Sequence, residues 1–182
     1  MPNIEFLIAA GAPPVSLNEA VNSLKDCSIL FVHGWTSNRQ DVAYRASRNA
    51  FQLFDHIVGV LMRARDDIKQ SRKPANSSYI AALSAPAGSM ATPVTLADQV
   101  AVLAAGHGNG HLPPSLPTIT ATLEQVLNKV KHQNTNQANF RIVGDRHFMI
   151  IAANKPNGTP DCVLEFDVQH FCDLCEAAAA LL

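Results

Sequence analysis

Apolar residues recur at two spacings along this chain, and the change of spacing separates a helical part from a β-rich part. Over residues 41–70 they return at three- and four-residue steps, which is the period of one helix face. Residues 148–153 form a short, partly β-branched apolar run, and residues 162–168 alternate between apolar and polar. The linker between these two runs holds two prolines and an Asn-Gly pair, which is turn chemistry. We therefore predict two strands that pair antiparallel.

The remaining segments are assigned by the same signals. Ser16 and Glu19 fit a capping box, which predicts a short helix ending near Leu24. Since helices mostly precede the β cluster, the predicted fold class is α+β, in a single domain that spans residues 1–182. The further predictions are strands at 3–9 and 79–83, loops at 86–93 and 106–117, and helices at 96–105, 118–132 and 171–182.

The composition of the chain argues against several classes of binding partner. Charged residues make up 16% of the chain and the net charge is −1, so we expect neither nucleic acid nor an anionic membrane surface as partner. No apolar run reaches the ~18 residues of a membrane span, and no basic segment precedes the apolar N-terminal run as in a Sec signal. The four cysteines are poorly spaced for a disulfide framework, which predicts free thiols and a reducing environment.

The hairpin supplies candidate chemistry. His147 begins the first predicted strand and Asp167 ends the second, so antiparallel pairing is expected to bring an imidazole beside a carboxylate. Cys27 is the matching nucleophile: if Asp26 caps a helix that begins at Cys27, the helix N-terminus and a neighbouring imidazolium lower the pKa of the thiol. Asp167 would hold the ring of His147 in the tautomer that a base requires.

These residues resemble the papain-like cysteine hydrolases, and in particular their compact bacterial effector and toxin branch. The likeness rests on a Cys at an early helix start, a His opening one strand and the segment FDVQ, residues 166–169. It implies a helical layer packed on an antiparallel sheet formed mainly by the C-terminal strands. It also implies a Cys27–His147–Asp167 triad that hydrolyses an amide of a protein substrate, such as a host protein, as a glutamine deamidase or a protease. Delivery by a specialised secretion system, or else a cytoplasmic location, would follow.

Three further residues are assigned to the predicted oxyanion hole and substrate cleft. Asn22 precedes the nucleophile and is the candidate oxyanion side chain, beside the backbone N–H of Cys27. Gln169 is expected to orient the acid or to line the cleft, and Trp35 to pack the nucleophile helix into the core. We predict no metal site and no cofactor, because Cys172 and Cys175 have CxxC spacing without a second ligand pair.

Two other functions fit the same residues. The segment SILFVHGWTSN is also typical of an α/β-hydrolase strand followed by an oxyanion loop, and GHGNG at residues 106–110 has nucleophile-elbow spacing with Gly108 in place of the serine. Too little chain follows for a complete enzyme of that kind, which leaves a truncated or inactive relative. A non-enzymatic binding or adaptor protein is the third possibility.

Overall fold

The structure, a computed structural model, describes residues 16–71 and 77–182, and at residues 133–137 the backbone alone. It contains six helices and five strands in these ranges, and it confirms the α+β class. The elements are α1 (Leu17–Thr36), α2 (Gln40–Gln70), α3 (Ser77–Leu83), β1 (Pro86–Ala91), α4 (Leu96–Ala104), β2 (Thr118–Thr122), α5 (Leu123–Lys131), β3 (Gln133–Val143), β4 (Arg146–Asn154), β5 (Pro160–Asp167) and α6 (Val168–Ala179). The strand predicted at residues 3–9 lies outside the described residues.

The five strands form one sheet in the order β2-β1-β5-β4-β3, and every neighbouring pair is antiparallel. The predicted β4–β5 hairpin is confirmed, with Phe148 opposite Asp167 and Ile151 opposite Leu164. The alternation predicted for β5 is also confirmed: Leu164 and Phe166 face the main core, and Val163 faces a second, smaller core.

The two sheet faces are covered by different elements. One face carries a helical layer that includes α1, α2, α3, α5 and α6, and this layer holds most of the buried apolar side chains. The other face is covered by α4 and the loop that follows it, through Val102, Leu112 and Leu116. Because His147, Met149 and Ile151 alternate with Phe148 and Ile150, His147 lies on the face that meets the helical layer.

Several element boundaries differ from the sequence predictions. The capping box at Ser16 is confirmed, but α1 continues to Thr36 rather than stopping near Leu24, so its β-branched residues are helical. Residues 79–83 belong to helix α3 rather than to a strand, and Tyr79 is buried with its hydroxyl donating to the carbonyl of Leu61. Tertiary packing therefore outweighs local propensity at both places.

Two further corrections concern strands β1 and β2. The predicted loop at 86–93 contains strand β1, which Pro86 begins, a position where a strand tolerates the missing N–H. Gly88 permits close pairing with β5, since a Cβ there would lie 2.4 Å from the carbonyl oxygen of Glu165. The helix predicted at 118–132 is instead strand β2 followed by helix α5, and Thr122 caps that helix in a capping box with Gln125.

Candidate functional site

A cavity of about 350 Å³ lies between the helical layer and the sheet. Its wall combines residues of α1, α2, β3, β4 and the loop after α4, and most of its side chains are apolar. The exposed Phe51 lines it, so the cavity reaches the surface beside α2. The lining residues that carry a thiol, hydroxyl, amide or imidazole group are Cys27, Ser28, Ser47, His107, Asn139 and His147.

A buried hydrogen bond joins the helical layer to the sheet at this cavity. The Oγ atom of Ser28 lies 3.2 Å from Nδ1 of His147. Both side chains are buried, at 4% and 7% exposure. The imidazole stacks on the ring of Phe31, with centroids 4.7 Å apart, and meets the ring of Phe140 edge-on at 6.0 Å. Phe31 and Ser28 occupy one face of α1, which orients the imidazole from the helix side.

The surroundings of His147 favour a neutral ring. Burial lowers the pKa of His147 to about 4, and the negative charge of Asp167 opposes this only in part. The Nε2 atom is buried and has no hydrogen-bond partner among the described residues. An imidazole with this pKa is uncharged at neutral pH and is a weak base.

Cys27 lies on the wall of the same cavity, but its setting differs from the predicted one. It is in the middle of α1 and not at its start, and Ser16 rather than Asp26 caps the helix. The positive end of the helix dipole is therefore several turns away, and the backbone N–H of Cys27 is used inside the helix. Burial and the charge of Asp26 raise the pKa of the thiol. Across the described residues, His147 bonds Ser28 and not Cys27.

Asp167 has other partners than the ring it was predicted to orient. Its Oδ1 accepts from the backbone N–H groups of Gln169 and His170, which makes it the N-cap of α6. Its Oδ2 accepts from Nε of Arg146 at 2.6 Å. The register explains this placement: Asp167 stands opposite Phe148, and so on the other face of the sheet from His147. Only its charge acts on His147.

The three residues assigned to the oxyanion hole and cleft lie outside the cavity wall. Asn22 is exposed on α1. Gln169 donates from Nε2 to the backbone carbonyl of Lys25 at 3.2 Å, which ties α6 to α1. Trp35 packs edge-on against Phe140 at 4.7 Å, so it supports the wall from behind. Trp35 is 37% exposed and belongs to neither core, so it does not pack α1 into the core as predicted.

The glycine-rich loop at 106–110 forms one rim of the cavity, and His107 lines it. Asn139 fixes this loop, since its Nδ2 donates to the carbonyls of Val102 and Gly106 and its Oδ1 accepts from the N–H of Gly108. Gly108 has a φ of 86°, and a Cβ there would lie 3.2 Å from the Trp35 ring. The nucleophile-elbow spacing therefore corresponds to a structural turn.

Sequence reasoning missed four polar residues of the cavity wall, which are Ser28, Ser47, His107 and Asn139. Ser28 carried a readable signal: with Val21, Leu24 and Phe31 it continues a three- and four-residue spacing, so it is a polar side chain within the apolar stripe of α1. A buried polar group of this kind requires a partner, and His147 is that partner. His107 and Asn139 had no comparable local signal.

No group of three or more side chains suited to a metal ion occurs in the part of the chain that the structure describes. Within the same residues, no helix is both long enough and apolar enough to cross a membrane. Comparison with known proteins gives no match: no protein-family model, no curated protein and no solved structure is similar to this chain.

Proposed function

We propose that this chain binds a small, mainly apolar molecule in the cavity between the helical layer and the sheet. The observation that carries the proposal is the cavity itself. Its volume of about 350 Å³ falls within the range of small-molecule sites, roughly 300–1,000 Å³. Its wall is largely aromatic and aliphatic, with a few converging polar groups, which is the composition that such sites have. This corresponds to the non-enzymatic binding alternative.

Binding is favoured over catalysis by the state of the polar groups. His147 is neutral and weakly basic because burial holds its pKa near 4. The carboxylate of Asp167 is occupied by Arg146 and the α6 N-terminus. The backbone N–H groups near Ser28 are used within α1, so they are not free to stabilise an oxyanion. Such a site is suited to holding a molecule rather than transforming it.

A neutral fluorescent probe tests the proposal. N-phenyl-1-naphthylamine is expected to bind with one molecule per chain and to gain fluorescence as it leaves water. Ala50 lines the cavity, so Ala50→Leu should weaken this binding, whereas Ala64→Leu, on the same helix but not on the cavity wall, should leave it unchanged. Equal binding to both variants, or no binding to the wild type, would contradict the proposal.

The cysteine hydrolase predicted from the sequence is the second proposal. The observation that favours it is that Cys27 and His147 line one cavity, with the neighbouring Ser28 bonded to the imidazole. In this proposal the fold is papain-like, the substrate is a protein amide and the chain is a bacterial effector. Thiol activation would then require a rearrangement that brings the sulfur to His147 and frees Asp167 from Arg146.

Labelling by iodoacetamide separates this second proposal from the first. An activated Cys27 would react at neutral pH far faster than a free thiol of ordinary pKa, and His147→Ala would slow the reaction. Slow labelling that His147→Ala leaves unchanged would exclude a Cys27–His147 pair. Because Cys162, Cys172 and Cys175 are fully buried, free glutathione rather than these thiols serves as the reference.

A further inference from the structure

We infer that the ligand of this cavity is uncharged and carries a hydroxyl group that bonds to the side chain of Ser28. The inference rests on the proposed binding function and adds the chemical class of the ligand. It comes from two independent features of the wall: the charges it lacks and the hydrogen-bonding capacity that Ser28 retains.

The first feature is electrostatic. Among the described residues that line the cavity there is no Asp, Glu, Lys or Arg. An ionised group placed there would lose its hydration without gaining a counter-charge, and that loss is large in an apolar setting. His107 stands at the exposed rim, where its side chain remains in contact with water. The interior therefore accepts neutral molecules and disfavours carboxylates and amines.

The second feature is the unused capacity of Ser28. A serine hydroxyl has one donor and two acceptor sites, and the bond to His147 uses one of them. If the ring carries its proton on Nδ1, Ser28 accepts that proton and its own O–H is free to donate. If the proton is on Nε2, Ser28 donates to Nδ1 and keeps an acceptor site. A ligand hydroxyl both donates and accepts, so it fits either tautomer.

The burial of Ser28 should make a hydrogen bond to its side chain contribute strongly to ligand affinity. The side chain is 4% exposed, and its surroundings on α1 are Leu24 and Phe31. A hydrogen bond made there is sheltered from competing water, so its loss should weaken ligand binding. Ser47 also lines the cavity, but it is exposed on α2, where water competes for its hydroxyl. The two serines therefore offer a matched comparison.

The test uses 1-octanol and octanoate, two probes of equal chain length that differ in charge at neutral pH. Each is titrated into the full chain, with displacement of N-phenyl-1-naphthylamine and Trp35 fluorescence as readouts. We expect octanol to bind at least about ten-fold more tightly than octanoate. Ser28→Ala should weaken octanol binding about five-fold, the effect of one sheltered hydrogen bond, and Ser47→Ala should change it less than about two-fold.

Three outcomes overturn the inference while leaving the proposed function intact: octanoate binding as tightly as octanol, Ser28→Ala binding octanol like the wild type, or Ser47→Ala causing an equal loss. The proposed function fails separately if no neutral probe binds the wild type. Thermal unfolding checks that Ser28→Ala is folded. Ser28→Cys, which keeps the volume but hydrogen-bonds poorly, must give the same direction of change, and an unaltered affinity in that variant would also count against the inference.

Discussion

His147 combines burial, one hydrogen bond and an aromatic stack. Its ring is fixed between Phe31 and Phe140, and Nδ1 meets Ser28, while Nε2 has no partner among the described residues. A proton added to this ring would create a buried cation with no hydrogen-bonded counter-ion. That physical cost explains why the pKa falls to about 4 although Asp167 attracts the proton.

This lowered pKa predicts a loss of stability on mild acidification. Since the pKa of His147 is about 4 in the folded chain and 6.5 in the reference state, the unfolded chain binds more protons between these values. The free energy of unfolding should therefore fall as the pH falls from about 6.5 to about 4, and His147 should contribute no pH dependence above that window. The free energy of unfolding, measured with urea, should be about 2 kcal/mol lower at pH 5 than at pH 7 because of this residue.

His147→Gln provides the control, because glutamine does not titrate and can still bond to Ser28. Between pH 7 and pH 5, the free energy of unfolding of this variant should fall by about 2 kcal/mol less than that of the wild type. An unaltered difference would mean that other groups cause the pH dependence and that the ring of His147 is not held neutral by burial.

The sequence located the cavity wall to within one residue of α1 and predicted a different partner for the imidazole. It placed an early helical residue beside a histidine that opens a strand, and Cys27 and His147 do line one cavity. Helical phase, however, directs the neighbouring Ser28 at the imidazole. Asp167 lies on the other face because it pairs with Phe148 rather than with His147. A shift of one residue along a strand moves a side chain to the opposite face of the sheet, and the sequence does not fix the register to one residue.

At the level of elements, α1 and α2 pack against each other, and Gly34 allows a close approach next to the turn that joins them. A Cβ at this position would lie 2.7 Å from the backbone nitrogen of Ala43 and 3.1 Å from the carbonyl oxygen of Arg39. Asn38, in the turn between the helices, has a positive φ of 54°, so the chain reverses sharply there. The glycine that weakens α1 in isolation thus permits close contact with the start of α2.

Two glycine-to-alanine substitutions should therefore have opposite effects. Gly34→Ala gains helix propensity but forces backbone apart, so it should lower the free energy of unfolding by about 1–3 kcal/mol. Gly59→Ala, at a position of α2 with nothing within 4 Å of the added methyl, should raise it by about 0.5–1 kcal/mol. Denaturant unfolding of both variants measures the difference, and stabilisation by Gly34→Ala would refute the close-packing explanation.

Local sequence signals predicted some elements well and others poorly for physical reasons. Helix α2 has a helical period over many residues, and strands β4 and β5 are flanked by clear turn signals. All three elements were found as predicted. Helix α3 and strand β1 are short, so their periodicity says little. Tyr79 becomes helical because it fills the core between α2 and α6, a long-range contact that no local pattern reports.

At the level of the whole molecule, the sheet divides the interior into two unequal cores, and the cavity lies within the larger side. The smaller core closes the far face through Val102, Ile150 and Val163. On the other face, α1 and α2 leave a largely apolar cavity above β4, and apolar wall that stays in contact with water forgoes the stability that its burial would give. Retaining this cavity lowers stability, a cost that the binding proposed above would offset.

This trade-off predicts that Ala50→Leu will stabilise the unliganded chain while it weakens binding. The larger side chain would fill part of the cavity with apolar atoms, which should raise the free energy of unfolding by about 1 kcal/mol. Adding 1-octanol should then stabilise the wild type more than the variant, because ligand binding to the folded state adds stability only where the site remains open. Urea unfolding without octanol measures the stability of each unliganded chain, and unfolding with octanol measures how much the ligand stabilises it. If Ala50→Leu were destabilising and bound octanol normally, the space above β4 would not be the binding site, since a filled site cannot keep its affinity.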